Sequence, residues 1–199
     1  MTAISLALLL ALGGRATHLP APPPAASGVP AASAPALTDV EVAQRVDTYL
    51  GTIDTPITAD EWRALGPRAV AQLAGVATDS GALSTRRAKA LGALAILGGG
   101  RAQQVVLSMA QSEQAPFAVR ASALRGAGQL LGTTALAKAI SPVMQNARDA
   151  PVRAVAAEVL ASRAGASGCD AVRTQVALEP RQARAQFTHA LERCGAPAP

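Results

Sequence analysis

Histidine and cysteine are the side chains of this sequence with the widest chemical repertoire, and there are two of each. Neither His18 nor His189 has a second histidine or a cysteine at metal-ligand spacing, which argues against a zinc site. The sequence also lacks a G-x-S-x-G elbow, a P-loop and an H-E-x-x-H motif. Gly98-Gly99-Gly100 follows a helical pattern rather than a strand, so it indicates a helix end and a turn. We therefore expect no catalytic residue, no metal and no cofactor.

The two cysteines are placed to form a disulfide. Cys169 falls at the start of one helical segment and Cys194 at the end of the next, and antiparallel helices bring those two ends together. On the chain-entropy model, closing a loop of about 25 residues stabilises a fold by roughly 3.5 kcal/mol. The competing interpretation, two free thiols, belongs to a cytosolic protein.

Arginine recurs at regular intervals in the second half of the chain. Arg87, Arg120 and Arg153 follow one another at 33 residues, and Arg184 comes 31 residues later. In a stack of repeats these arginines form a stripe, which could track the phosphates of a nucleic acid. The chain has only four aromatic residues to stack on bases, so we do not expect a nucleic-acid partner.

Each of these arginines opens a similar alanine-rich phrase, and a glycine follows the end of each phrase. The phrases read RAKALGAL, RASALRGA, RAVAAEVL and RAQFTHAL. Further helical segments alternate with them, at Pro67 to Ala77, Arg101 to Ser112, Thr134 to Ala147 and Gly168 to Leu178, so each unit is a helical hairpin. Such a recurrence is typical of an α-solenoid, in which a hairpin is covered only by its neighbours. We predict an all-α fold, an α-α superhelix of about four hairpins.

Three stretches resemble the HEAT repeats, particularly the short HEAT-like variety of the phycobilisome lyases: LGPRAVAQLAGV, PFAVRASALRGAGQLLG and DAPVRAVAAEVLA. The resemblance covers four units, at 67–97, 101–131, 134–164 and 168–194. It implies that the helices beginning at the arginines line one side of the superhelix. It also implies a structural ladder, in which Arg87, Arg120, Arg153 and Arg184 pair with the turn acids Asp79, Glu113, Asp149 and Glu179.

An acidic helical cap, 38–66, precedes the repeats. Thr38 with Glu41, and Thr58 with Glu61, each form an S/T-x-x-E capping box, which predicts two short helices. Thr38 to Glu61 holds six acidic residues and one arginine, whereas the rest of the chain to Pro199 holds sixteen basic and seven acidic residues.

The N-terminal residues indicate export. Residues 1–16 contain an apolar run from Ala3 to Leu12 that is about half the length of a membrane span, which suits a signal peptide. Residues 17–37 are rich in proline and alanine, and we expect a disordered linker. The signal has no Lys or Arg before its apolar run, so either it is atypical or the true start lies upstream. We expect a periplasmic or secreted protein without an integral membrane segment, or a cytoplasmic one if the start is misassigned.

Composition and charge narrow the possible functions. The 199 residues carry a net charge of +5, with sixteen arginines and two lysines. A basic surface suits nucleic acid or acidic lipid, but a GC-rich genome would also favour Ala, Gly, Arg and Pro together, and we prefer that explanation. We expect a non-catalytic HEAT-repeat scaffold that binds a protein or peptide partner in the cell envelope. The alternatives are a basic nucleic-acid-binding HEAT-like module and, with less support, a HEAT-like lyase-type enzyme.

Overall fold

A computed structural model of the chain describes residues 37–195, and these residues contain helices and turns but no strand. The predicted signal peptide and nearly all of the predicted linker lie outside the described residues. The helices are α1 (Asp39–Gly51), α2 (Ala59–Ala64), α3 (Arg68–Thr78), α4 (Ser84–Leu97), α5 (Gly100–Gln111), α6 (Phe117–Leu130), α7 (Thr133–Asn146), α8 (Ala150–Arg163), α9 (Gly165–Leu178), α10 (Arg181–Arg184) and α11 (Thr188–Arg193), with a 3-10 helix at Ala185–Phe187.

The helices stack in two layers. The A layer contains α1, α3, α5, α7 and α9, and the B layer contains α2, α4, α6, α8 and α11. Each helix contacts its hairpin partner in the other layer or the next helix of its own layer. The predicted all-α superhelix of stacked hairpins is therefore confirmed for the described residues.

The B layer is the more closely packed of the two. Its successive helices contact one another more extensively than those of the A layer, and we call the surface of the B layer the inner face of the stack. Small residues permit this approach. A Cβ atom added to Gly126 of α6 would lie 3.3 Å from the Cβ of Ala95 in α4, and one added to Gly128 would lie 3.0 Å from Cγ1 of Val159 in α8. The alanine and glycine content of the repeats thus sets the spacing of the inner helices.

The hydrophobic core runs between the two layers from one end of the stack to the other. It includes a buried leucine from most hairpins, and the side chains of Leu73, Leu91, Leu124 and Leu136 are fully buried. Because buried residues of successive hairpins form one cluster, the core extends only as far as there are hairpins to stack.

The N-terminal cap begins its helices as the sequence predicts. Thr38 caps α1 and Thr58 caps α2, and in both cases the glutamate three residues later completes the capping box. The backbone N–H of each threonine donates to that glutamate, and this hydrogen bond lowers the pKa of Glu41 and Glu61. α1 packs in the A layer against α3, and α2 packs in the B layer against α4, so the cap has the arrangement of one more hairpin.

The last unit departs from the expected helix boundaries. α9 begins at Gly165 rather than at Gly168, because Gly165 has a positive φ of 63° and turns the chain directly from α8 into α9. The expected final helix is divided into α10, the 3-10 helix and α11. The tighter 3-10 turn ends at Phe187, which is fully buried and packs with that turn against α8. Gly132, the glycine that follows the phrase beginning at Arg120, is the N-cap of α7 and has a φ of −69°.

Within residues 37–195, no helix combines the length and the apolar content that a bilayer span requires.

The closest approach of two helices gives a test of this packing. A Cβ added to Gly168 would lie 2.5 Å from the carbonyl oxygen of Leu160 and 2.6 Å from the Cβ of Ala164. We expect Gly168→Ala to lower the free energy of unfolding by about 1–3 kcal/mol, as overpacking does. Gly75→Ala, in α3 with nothing within 4 Å, is the matched control and is expected to raise it by about 0.5–1 kcal/mol. Urea denaturation measures both variants, and equal effects would contradict the packing.

Candidate functional site

The four repeated arginines lie at the hairpin turns, where each caps the A-layer helix of its own unit. Nε of Arg87 donates to the carbonyl of Ala77 at 3.1 Å, and Nε of Arg120 donates to that of Ala110 at 3.5 Å. In the later units, Nη1 of Arg153 donates to Ala147 at 2.7 Å, and Nη2 of Arg184 donates to Ala177 at 3.1 Å. A basic side chain that bonds the last carbonyls of a helix also complements its dipole.

The acidic partners of these arginines differ from one unit to the next. Arg120 bonds Glu113 of its own turn at 2.7 Å, whereas Arg153 forms a bidentate pair at 2.7 and 2.6 Å with Glu179, which belongs to the following unit. The side chain of Asp79 instead accepts from the backbone N–H of Gly81. The arginines therefore do not pair uniformly with the acid of their own turn.

The pairs change the titration of both glutamates. Hydrogen bonds from Arg153 lower the pKa of Glu179, and Gln175 adds a second donor. A hydrogen bond from Arg120 likewise lowers the pKa of Glu113. The side chain of Glu179 is only 2% exposed and that of Arg120 only 1%. Such buried and bonded arginines hold the turns together and are poorly placed to contact phosphates.

The two cysteines close the last hairpin. The Sγ atoms of Cys169, in α9, and Cys194, which follows α11, lie at disulfide distance, 2.04 Å. Nη2 of Arg173 also donates to the carbonyl of Cys194 at 2.9 Å, so this end of the chain is attached to α9 in two ways. A paired cysteine arrangement of this kind is compatible with an oxidising compartment.

His189 lies on the surface of α11. Its side chain is 81% exposed, and Nδ1 is 3.3 Å from a carboxylate oxygen of Glu192. In the part of the chain that the structure describes, no three His, Cys, Asp or Glu residues are grouped so as to hold a metal. His18 lies outside the described residues.

A row of clefts crosses the B layer, and we call it the inner groove. It consists of three adjoining clefts. The first, of about 440 Å³, lies between the α1–α2 loop and α4, the second, of about 230 Å³, between α6 and α8, and the third, of about 320 Å³, between α8 and the start of α11. Gln129 lines both the first and second clefts, and Arg125 and Glu158 line both the second and third. The three clefts therefore lie next to one another across the B layer.

The first cleft is apolar and preformed. The rings of Tyr49 and Trp62 meet edge to face with their centroids 5.2 Å apart. Ile53, in the α1–α2 loop, is 91% exposed at the rim of the cleft. Nζ of Lys89 donates to the carbonyls of Leu50 and Thr52, which holds the loop against α4.

The remainder of the inner groove is positively charged. Its titratable lining residues are Arg125, Arg163, His189 and Glu158, and Lys89 lines the first cleft. Glu158, the single carboxylate among them, lies 3.6 Å from Nη2 of Arg193. Sequence reasoning missed this groove because its residues come from separate units. The one usable signal was the coincidence of Tyr49 and Trp62, half of the aromatic residues of the chain, in the two short cap helices.

Comparisons of this chain with models of protein families, with curated proteins and with solved structures find no match. The fold and the groove alone define the class: a short α-solenoid with a preformed cleft across its inner face.

A double-mutant cycle tests the coupling between the third and fourth units. Removing one member of a buried ion pair costs about 3–5 kcal/mol because the other charge is left unpaired. We expect Arg153→Met and Glu179→Met each to destabilise the fold by that order, and the double variant to lose much less than their sum. Urea denaturation at pH 7 measures all four proteins, and additive losses would show that the two side chains are not coupled.

The same pair gives a pH signature. The pKa of Glu179 is lowered from its ordinary value of 4.5 on folding, so its stabilisation is present above that value and is lost as the pH falls below it. The wild type is expected to lose more stability between pH 6 and pH 3 than Glu179→Gln, measured in urea at each pH.

The disulfide gives a third test. For a sequence separation of 25 residues, the chain-entropy model predicts a loss of about 3.5 kcal/mol on reduction. Cys169→Ser/Cys194→Ser should match the wild type measured with reductant, and the variant itself should not respond to reductant. A wild type whose stability is unchanged by reductant would show that the pair does not restrain the fold.

Proposed function

We propose that this protein is a non-catalytic, HEAT-like scaffold that binds a segment of a partner protein in the inner groove. The adjacency of the three clefts supports this proposal, since together they extend across α4, α6, α8 and the start of α11. The groove is formed by helices whose spacing is set by alanine and glycine contacts. Binding to such a preformed surface avoids the cost of ordering it, which favours affinity.

The chemistry of the groove favours binding over catalysis. Acid–base catalysis requires a proton donor and acceptor within hydrogen-bond reach of a reacting group. Among the described lining residues, Glu158 is the single carboxylate, and it is engaged by Arg193. The side chain of His189 lies on the exposed rim of the groove and contacts Glu192.

The proposed compartment is the periplasm or the extracellular space. The cysteine pair at disulfide distance supports this location, because structural disulfides persist in oxidising compartments. The predicted signal peptide would bring the chain there. The arginines that suggested a nucleic-acid stripe are occupied by carbonyls and carboxylates of the hairpin turns, which further favours a protein partner.

Blocking the groove tests the proposal. Gly92 in α4 lines the first cleft, and a Cβ added there meets nothing within 4 Å, so Gly92→Trp is expected to fill the cleft without straining the helix. Gly75→Trp is the matched control, since Gly75 also lies inside a helix with nothing within 4 Å and is outside the groove.

The measurement is selection of displayed peptides on the immobilised wild-type protein, followed by titration of the selected peptides against all three proteins. We expect Gly92→Trp to weaken binding by about tenfold or more, which corresponds to about 1.4 kcal/mol, and Gly75→Trp to bind as the wild type does. Peptides that bind Gly92→Trp as tightly as the wild type would contradict the proposal.

A further inference from the structure

The charges of the inner groove are not balanced by the protein itself. The side chains of Arg125 and Arg163 are exposed and form no hydrogen bond or ion pair with any described residue. Both line the second cleft, on either side of the contact between α6 and α8. Lys89 lines the first cleft, and its Nζ donates only to backbone carbonyls. The one carboxylate of the groove, Glu158, forms an ion pair with Arg193.

The isoleucines of the groove and its two unpaired arginines line different clefts. Ile53, Ile57 and Ile96 line the first cleft beside the Tyr49–Trp62 pair, whereas Arg125 and Arg163 line the second. An apolar side chain of a ligand that enters the first cleft would be removed from water at about 25 cal/mol per Å². Carboxylates placed at the second cleft would meet arginines, whose planar guanidinium groups bind carboxylates bidentately.

From these observations we infer that the inner groove selects an acidic, extended peptide segment with an apolar residue at one end. The inference rests on the proposed function and specifies its partner. Charge complementarity decides the occupant: the lining residues present unpaired arginines and a single, already paired carboxylate.

The spacing of the helices sets the form of the ligand. Neighbouring helices pack about 8–10 Å apart, so the path from α4 through α6 and α8 to α11 is about 27 Å long. An extended chain rises about 3.3 Å per residue, so about eight residues span the path. The arginines of α6 and α8 lie one to two helix spacings from the first cleft, so the carboxylates belong about three to six residues from the apolar anchor.

A nucleic acid fits the same groove less well. Trp62 is only 5% exposed, and its ring is covered by Tyr49, so it offers no open face on which a base could stack.

Fluorescence anisotropy with labelled peptides of nine residues tests the inference on the full chain. One peptide carries phenylalanine at one end and three glutamates at the positions that face the second cleft. A second has glutamine in place of the glutamates, and a third has serine in place of phenylalanine. Each is made in both chain directions, because the groove does not set the polarity.

The matched protein variants alter charge inside and outside the groove. Arg125→Gln/Arg163→Gln removes the unpaired arginines, and Arg45→Gln/Arg101→Gln removes two exposed arginines of the A layer with the same change in net charge. Each exposed charge pair changes a binding affinity by a few-fold. We therefore expect the groove variant to bind the acidic peptide about tenfold more weakly than the wild type does. The control variant is expected to bind it within about twofold of the wild type. The wild type is expected to bind the glutamine peptide about tenfold more weakly than the acidic peptide. It is also expected to bind the serine peptide more weakly than the acidic peptide.

Four outcomes overturn the inference. If the glutamine peptide binds as tightly as the acidic one while Gly92→Trp weakens both, the groove binds peptides without charge selection, and only the inference fails. If no peptide responds to Gly92→Trp, the proposed function fails as well. Equal or tighter binding of single-stranded DNA that is lost in the groove variant would assign the groove to nucleic acid. Dimerisation in sedimentation experiments that Arg125→Gln/Arg163→Gln abolishes would assign it to a second copy of the chain.

Discussion

A helical hairpin cannot bury its own apolar face, and the rest of this structure follows from that constraint. Alanine contributes helix stability but little apolar area, so burial is effective only when neighbouring helices approach closely. The inner helices do so at Gly126 and Gly128, where a side chain of any size would meet the adjacent helix. The B layer is therefore closely packed and the A layer more loosely packed, which distinguishes the two faces of the stack.

The hairpin turns contain helix ends whose backbone carbonyls have no partner within the helix, and the repeated arginines bond to some of these carbonyls. Each arginine donates to a carbonyl at the end of its A-layer helix, so each of these helix ends has at least one of its unpaired carbonyls bonded by a buried or half-buried side chain. The Arg153–Glu179 pair also connects one unit to the next through charge. The apolar core and the arginine bonds at the turns together fix the positions of the helices that line the inner groove.

Both ends of the stack lack a neighbour, and each is closed in a different way. At the N-terminal end, two capped acidic helices and the Tyr49–Trp62 pair cover α3 and α4. At the C-terminal end, buried Phe187 and the cysteine pair hold the divided last helix against α8 and α9. The same two closures form the ends of the inner groove, so the elements that stop the stack also delimit the binding surface.

The sequence by itself determined the helical class, the repeated hairpins, both capping boxes and the approach of Cys169 to Cys194, because each depends on periodicity or on neighbours within one hairpin. Only the tertiary structure decided that Arg153 pairs with Glu179 of the next unit, that α9 begins at Gly165, and that Gln129, Arg125 and Glu158 join three clefts into one groove. The physical reason is that these features depend on the rotation and spacing between successive hairpins. Those quantities arise from the summed packing of many small side chains, and no local pattern in the sequence encodes them.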